Sequence, residues 1–318
     1  MNKNDKIYVT GHSGLVGSAI VRELERQGYT NIITHPHKRD YDKYCYLDLR
    51  EQNEVEGFFS NAKPDYVFNC AAKVGGVFQN SQEQADFLYD NLAISTNIIR
   101  SAFLYKVKGL LNLGSVCIYP KTTPQPIKEE YLLTGELEPT NEGYAIAKIA
   151  ALKLCQKYNE QYDTNFMSVM PTNIYGPYDI STHVIPDLVR KFRTAKLEGQ
   201  QNVTLYGTGI ARREFLHADD LAEVCVKIMN CGSSVSRYTG GILNIGSGSL
   251  ISIGELAALV KKITGYKGAI VYDSGKPDGA PIRQLDCTKL QSVVDWRPKI
   301  SLEDGIQQFY SWFLTQNN

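Results

Sequence analysis

The chain lacks a Cys-x-x-Cys pair, a block of like charge and an apolar run of membrane-spanning length, and each absence removes a class of function. Its seven cysteines, at positions 45, 70, 117, 155, 225, 231 and 287, are odd in number and scattered. Such spacing argues against a disulfide frame or a thiolate zinc site and for reduced thiols in a cytosol. With 34 basic residues against 34 acidic ones, no global field favours nucleic acid or an acidic membrane. An anionic ligand must therefore be met by local basic groups. His12, His35, His37 and His217 show no metal-ligand spacing, so no metal is expected. Repeats and low-complexity tracts are missing too, which argues against a disordered interaction tail. The opening Met1-Asn2-Lys3-Asn4-Asp5-Lys6 leads straight into an apolar strand with no signal-peptide pattern. A soluble, cytoplasmic protein is the expectation.

What the chain does have is length and alternation. Its 318 residues suffice for a large core and two lobes. Short apolar runs at Lys6–Thr10, Asn31–Thr34, Tyr66–Cys70, Gly109–Leu113 and Phe166–Met170 alternate with helical patterns, as in a parallel sheet with crossover helices. Val16, Ile20 and Leu24 share one face of the first helix, and Gly28 marks its end. Further helices are expected over Tyr89–Tyr105 and from about Gly143 to Tyr162. After Pro171 the texture changes, with Pro- and Gly-containing segments between short helices such as Ile253–Gly265 and Ser301–Phe313. The reading is an α/β chain: a doubly wound parallel sheet over residues 1–174, rejoined by about 210–230, and a smaller mixed α/β lobe over 175–318. His217-Ala218-Asp219-Asp220 is expected to start a helix, its acids favouring the N-terminus.

Thr10-Gly11-His12-Ser13-Gly14-Leu15-Val16-Gly17 lies between the first strand and the first helix. Glycines there permit a tight turn, close approach to a pyrophosphate and close helix–sheet packing, and the helix amides meet negative charge. The spacing is G-x-x-G-x-x-G, and its position raises it from a structural turn to a Rossmann-type dinucleotide site. After the second strand, Thr34-His35-Pro36-His37-Lys38-Arg39 has no acid before Asp40. Basic groups at that point favour the 2′-phosphate of NADP(H), with Lys38 and Arg39 as its partners. Asp48-Leu49, at the end of another apolar stretch, is placed against the adenine.

The reacting centre is read from Ser115, Cys117, Tyr144 and Lys148. Tyr144 and Lys148 lie at i and i+4, hence on one helix face. The ammonium is expected to lower the phenol from its ordinary value near ~10, so that Tyr144 can donate a proton to an oxygen as hydride arrives. Ser115 would hydrogen-bond the carbonyl. If the strand continues, Ser115 and Cys117 point to the same side and Val116 away. A thiol beside a polarised carbonyl could remove a neighbouring proton; the plain alternative is a small buried apolar residue.

Together these segments resemble the extended short-chain dehydrogenase/reductase family over essentially the whole length. The likeness runs through Gly11–Gly17, Cys70–Gly76, Gly114–Pro120, Glu138–Asn141, Tyr144–Lys148, Met170–Asn173, His183–Pro186, Arg213–His217 and Lys276–Gly279. Cys117–Lys121 and the His183 segment are similar to a subgroup acting on GDP-linked 4-keto-6-deoxy sugars. The resemblance implies that Ser115, Tyr144 and Lys148 form the reductase triad, with Cys117 as base and His183 as acid inverting C3 and C5. It implies cofactor contacts from Gly11, His12, Ser13, Gly14, Leu15, Val16 and Gly17 in the loop. Ala71, Ala72, Leu113, Gly114, Lys148, Pro171, Asn173, Ile174 and His183 complete that set. Substrate contacts implied are Asn173, Val184, Lys191, Tyr206, Arg213 and Asp278, with Lys191 and Arg213 meeting the pyrophosphate. A homodimer through the Tyr89–Tyr105 and Tyr144 helices is implied as well.

Four departures are visible. Val116 replaces a serine, Lys191 stands where arginine is usual and gives up bidentate geometry, and Ser13 replaces a loop arginine. The Tyr175–His183 loop is also shorter than usual, leaving room for a larger sugar such as a heptose or displacing His183. Two alternatives therefore stand beside the reductase-epimerase. One is a C4-reductase acting on a separately epimerised GDP-sugar, such as a 6-deoxy-manno-heptose derivative. The other is a non-catalytic NADP-binding regulatory protein, against which the intact triad argues.

Overall fold

The computed structural model describes residues 1–35, 47–276 and 278–316. In the first half, strands β1 (Ile7–Thr10), β2 (Ile32–Ile33), β3 (Tyr66–Asn69), β4 (Gly109–Leu113) and β5 (Phe166–Pro171) alternate with helices α1 (Leu15–Arg26), α2 (Gln52–Ala62), α3 (Val77–Gln82), α4 (Gln84–Leu104) and α5 (Glu142–Tyr162). The second half contains β6 (Asn173–Tyr175), α6 (Val184–Leu197), β7 (Asn202–Tyr206), β8 (Arg212–His217), α7 (Ala218–Asn230), α8 (Ser233–Thr239), β9 (Ile242–Ile245) and β10 (Leu250–Ser252). It closes with α9 (Ile253–Thr264), β11 (Ala269–Asp273), β12 (Ile282–Arg283), α10 (Thr288–Val293) and α11 (Leu302–Thr315).

Six strands form one parallel sheet in the order β2-β1-β3-β4-β5-β9. Every residue of β1, β4 and β5 is buried, as helices on both faces demand. Alternation sends Val9 into a core with Ile20 and Leu24 of α1 and Leu221 and Val224 of α7. Tyr8 points to the opposite face, among Phe59 of α2, Ile98 of α4 and Ala151 of α5. An ion pair of 2.6 Å between Arg22 and Asp219 ties α1 to α7. Strand order reverses between β1 and β3, so a crevice opens at the carboxyl ends of those strands.

The chain leaves this sheet through β6, whose Asn173 pairs with Phe215 of β8. Strand β8 also carries β10 antiparallel and β12 parallel, and β7 pairs with β11. Leu256, Val260, Phe192 and Phe309 bind α6, α9 and α11 into the second core.

Two local findings differ from the sequence reading. The sixth strand, β9, is supplied by residues 242–245, a run too short to announce itself. Strand β4 stops at Leu113, and Ser115 opens a 3-10 turn over Val116–Ile118. Strand alternation is therefore not what brings Ser115 and Cys117 together. The serine oxygen accepts the Cys117 backbone N–H (3.2 Å), which curls the chain just beyond the sheet. His217 does begin α7, its Nδ1 accepting the Asp219 N–H at 3.2 Å.

Candidate active site

The glycine loop follows β1 directly into the crevice. Gly11 adopts φ +63°, and a Cβ there would lie 2.9 Å from the Ala71 Cα. A Cβ on Gly17 would collide with the Gly11 carbonyl oxygen, so α1 can approach the loop only as glycine. Gly14 caps α1 with no side-chain hydrogen bond, which leaves the helix amides facing outward. Thr10 Oγ1 accepts from the Cys70 and Ala71 amides, each at 2.9 Å, locking the ends of β1 and β3 side by side. This is a cradle of backbone donors of the kind a pyrophosphate fits.

Of the other expected cofactor contacts, Lys38 and Arg39 lie outside the described residues. Asp48 accepts from Arg50 at 2.7 Å, and Leu49 is buried in the core with Val55 and Phe59. Leu113 ends β4, and a Cβ on the following Gly114 would meet the Met170 side chain. Asn173 donates to the Glu214 carbonyl (2.9 Å), and Ile174 packs on the sheet core.

Beside the cradle, α5 brings Tyr144 and Lys148 up to the Val116–Ile118 turn. Lys148 is buried, and its Nζ donates to the Leu113 carbonyl at 2.7 Å while lying 5.7 Å from the Tyr144 ring centroid. Burial draws its ammonium down to about 8, against the opposing pull of Cys70 and Cys117. Burial likewise raises the Tyr144 phenol, and nearby Cys117 adds to this; the Ser115 hydrogen bond opposes both. The expected lowering of Tyr144 by Lys148 is not found: burial and Cys117 raise the phenol, and the Ser115 hydrogen bond alone opposes them. Ser115, Cys117, Tyr144 and Lys148 are nonetheless brought to one place.

Among the described residues, His183 has no hydrogen bond to these four. It caps α6 with an exposed side chain, and its backbone N–H donates to Ser181 Oγ at 3.2 Å. Its neighbour Thr182 abuts Gly76, so the short loop reaches the residue that caps α3. Val184 is the first residue of α6, half-buried.

A second group of cations lies on β8, β12 and α6. Arg213 of β8 faces Arg283 of β12 in parallel register. Arg213 Nη1 donates to the Ala280 carbonyl at 2.6 Å, and Arg283 Nη2 to Tyr119 O at 3.3 Å. Carbonyls, not carboxylates, accept from both, and burial together with Arg283 lowers Arg213 from its ordinary value. Lys191 pairs with Asp187 at 2.8 Å and lies 5.6 Å from the exposed Tyr206 ring. Asp278, expected as a substrate contact, clamps a turn: Thr208 donates to it through N and Oγ1, both at 2.7 Å. These hydrogen bonds hold its carboxyl below the usual range.

Arg283 was missed by sequence reasoning because only strand pairing puts it beside Arg213. Glu214 was missed as well: wholly buried, it accepts from Gly248 and Leu285 amides and joins β8 to the loop after β9. Asn141, whose Nδ2 lies 3.2 Å from Cys117 Sγ, is the third. Among the described residues no cluster could hold a metal ion, and no helix is long and apolar enough to cross a membrane.

Known proteins are similar to this chain over most of its length. A profile of the NAD dependent epimerase/dehydratase family matches residues 7–246. GDP-L-fucose synthase 1 of Arabidopsis thaliana is 51% identical over 318 residues, covering 98% of this chain and 94% of its own. The GDP-L-fucose synthase of Escherichia coli K12 is 44% identical over 317 residues, covering 97% and 96%. A solved GDP-mannoheptose C4 reductase of Campylobacter jejuni with NADP bound is 38% identical and covers 99% of both chains at a TM-score of 0.89.

Proposed function

The chain belongs to the NAD dependent epimerase/dehydratase family, and from that premise we propose that it is an NADPH-dependent reductase-epimerase. It inverts C3 and C5 of a GDP-linked 4-keto-6-deoxy sugar and reduces the C4 ketone. The observation that carries the reading is the meeting of Ser115, Cys117, Tyr144 and Lys148 at the mouth of β4.

NADPH, when bound, supplies the hydride that the ketone carbon accepts. The Gly11–Gly17 cradle would hold its pyrophosphate, with Lys38 and Arg39 toward the 2′-phosphate. Ser115 and Tyr144 hold the ketone oxygen, where negative charge grows during both enolisation and reduction. Tyr144 then gives its proton to that oxygen, and the Lys148 ammonium, which donates to Leu113 O, steadies the phenolate left behind. Cys117 takes the proton next to the ketone, and His183 returns one from the other side of the sugar. For that, the exposed His183 must close over the sugar by movement of its loop. Arg213, Arg283 and Lys191 meet the diphosphate, and the exposed Tyr206 offers a face for the base. Asn173 and Val184 border the sugar.

A second reading, C4 reduction alone on a heptose, is favoured by two observations. His183 is exposed, and the heptose C4 reductase superposes at a TM-score of 0.89. We place the cofactor half in residues 1–174 with the segment that rejoins the sheet, and the substrate lobe in 175–318. Exposed Tyr89, Ile146 and Tyr162 on α4 and α5 support a homodimer through those helices, for which light scattering should give twice the chain mass.

The test is NADPH oxidation by the purified protein with GDP-4-keto-6-deoxymannose. Oxidation is expected with NADPH in preference to NADH, and with Tyr144→Phe slower by at least ~100-fold. Oxidation at wild-type rate by Tyr144→Phe would overturn the assignment.

A further inference from the structure

Asn141 stands at the N-terminus of α5, where an asparagine ordinarily spends its side-chain oxygen on the first free amides of the helix. Here it does not: the side chain makes no capping bond. The Gly143 N–H is instead taken by Gln84 Oε1 of α4 at 3.1 Å, and Gln84 Nε2 donates to the Pro139 carbonyl at 2.9 Å. A glutamine from the neighbouring helix thus does the capping and releases Asn141. The freed amide turns to Cys117, with Nδ2 donating to Sγ at 3.2 Å, while its Oδ1 is buried with no hydrogen-bond partner among the described residues.

We propose that Asn141 is the positioning residue of the proton-abstraction step, holding Cys117 at the sugar face and stabilising its thiolate. This rests on the epimerase half of the reading above. In that step the C–H bond next to the ketone breaks and an S–H bond forms. The C–H electron pair moves into the adjacent C–C bond, and the carbonyl pair moves onto the oxygen held by Ser115 and Tyr144. Before transfer, the amide N–H donates to the sulfur anion. After transfer, the sulfur carries a proton and needs an acceptor. A half-turn about the Asn141 Cβ–Cγ bond presents Oδ1 and gives up no other hydrogen bond, since Oδ1 had none. One amide thereby serves both protonation states, which neither a carboxylate nor an apolar side chain can do.

Tyr144 and Lys148, both on α5, are titratable groups that interact electrostatically with Cys117. The experiment is iodoacetamide alkylation of the full-length protein across pH, followed by the mass of the peptide bearing Cys117. In Asn141→Ala the midpoint of alkylation moves to higher pH by about 1 to 2 units. In the isosteric Asn141→Asp, whose carboxylate repels a thiolate, it moves further, and Asn141→Gln recovers part of the loss. In deuterated water, solvent exchange at C3 and C5 falls about 10- to 100-fold more than ketone reduction in Asn141→Ala. Coincident alkylation midpoints in wild type, Asn141→Ala and Asn141→Asp would overturn the proposal. A shifted midpoint in a protein whose wild type exchanges no deuterium would retain the Asn141–Cys117 link while removing the epimerase reading.

Discussion

At the scale of single residues, Tyr144 and Lys148 are shifted in opposite directions by the same burial. The phenol is raised and so enters the reaction with its proton on, as a donor must. The ammonium is drawn from 10.5 to about 8, which corresponds to roughly 3 kcal/mol of destabilisation while it stays charged. The sign follows from proton binding: the unfolded chain holds this proton more tightly than the folded one. The cost is whole below about pH 8 and fades as pH rises toward 10.5. Lys148→Met is accordingly expected to raise the urea midpoint at pH 7, by less than the full amount because Leu113 O loses its donor. That gain should shrink between pH 8 and 10.5 and be accompanied by loss of NADPH oxidation; a variant destabilised at pH 7 would refute this account of the lysine.

At the scale of elements, the 3-10 turn carrying Cys117 is held from below. Tyr119 donates to Asn244 Oδ1 of β9 at 2.6 Å, and Asn244 Nδ2 donates to the Ile127 carbonyl at 2.9 Å. Tyr119→Phe leaves that buried oxygen unpaired and should cost about 1–3 kcal/mol in denaturant unfolding. Unchanged stability would show that the turn is anchored elsewhere. Gly17→Ala should instead push α1 from the loop and weaken NADPH binding about 10- to 100-fold, read by fluorescence titration. The glycine loop and the Tyr144–Lys148 pair were legible in the sequence because spacing along one strand-to-helix junction or one helix decides them. The turn at Ser115 was not, since the serine hydroxyl's bond to the Cys117 amide ends the strand where composition alone would continue it. Arg283, Asn141 and β9 owe their places to partners far away in the chain, namely Arg213, Gln84 and β5. Asp278 shows the converse: a motif residue whose charge is engaged in holding a turn.

At the scale of the molecule, the parallel sheet brings the cofactor cradle and the proton donors to one edge. Strands β8 and β12 pair the guanidinium groups of Arg213 and Arg283, and β6 runs from the sheet into that second layer. The central claim is that one cleft performs both inversion and reduction. The direct test is reaction with NADPH and GDP-4-keto-6-deoxymannose in deuterated water, following cofactor absorbance and the mass and position of label in the product. Oxidation with deuterium at C3 and C5, lost at those carbons in Cys117→Ala, is the predicted result. Oxidation giving a product unlabelled at both carbons would contradict it and leave a C4 reductase.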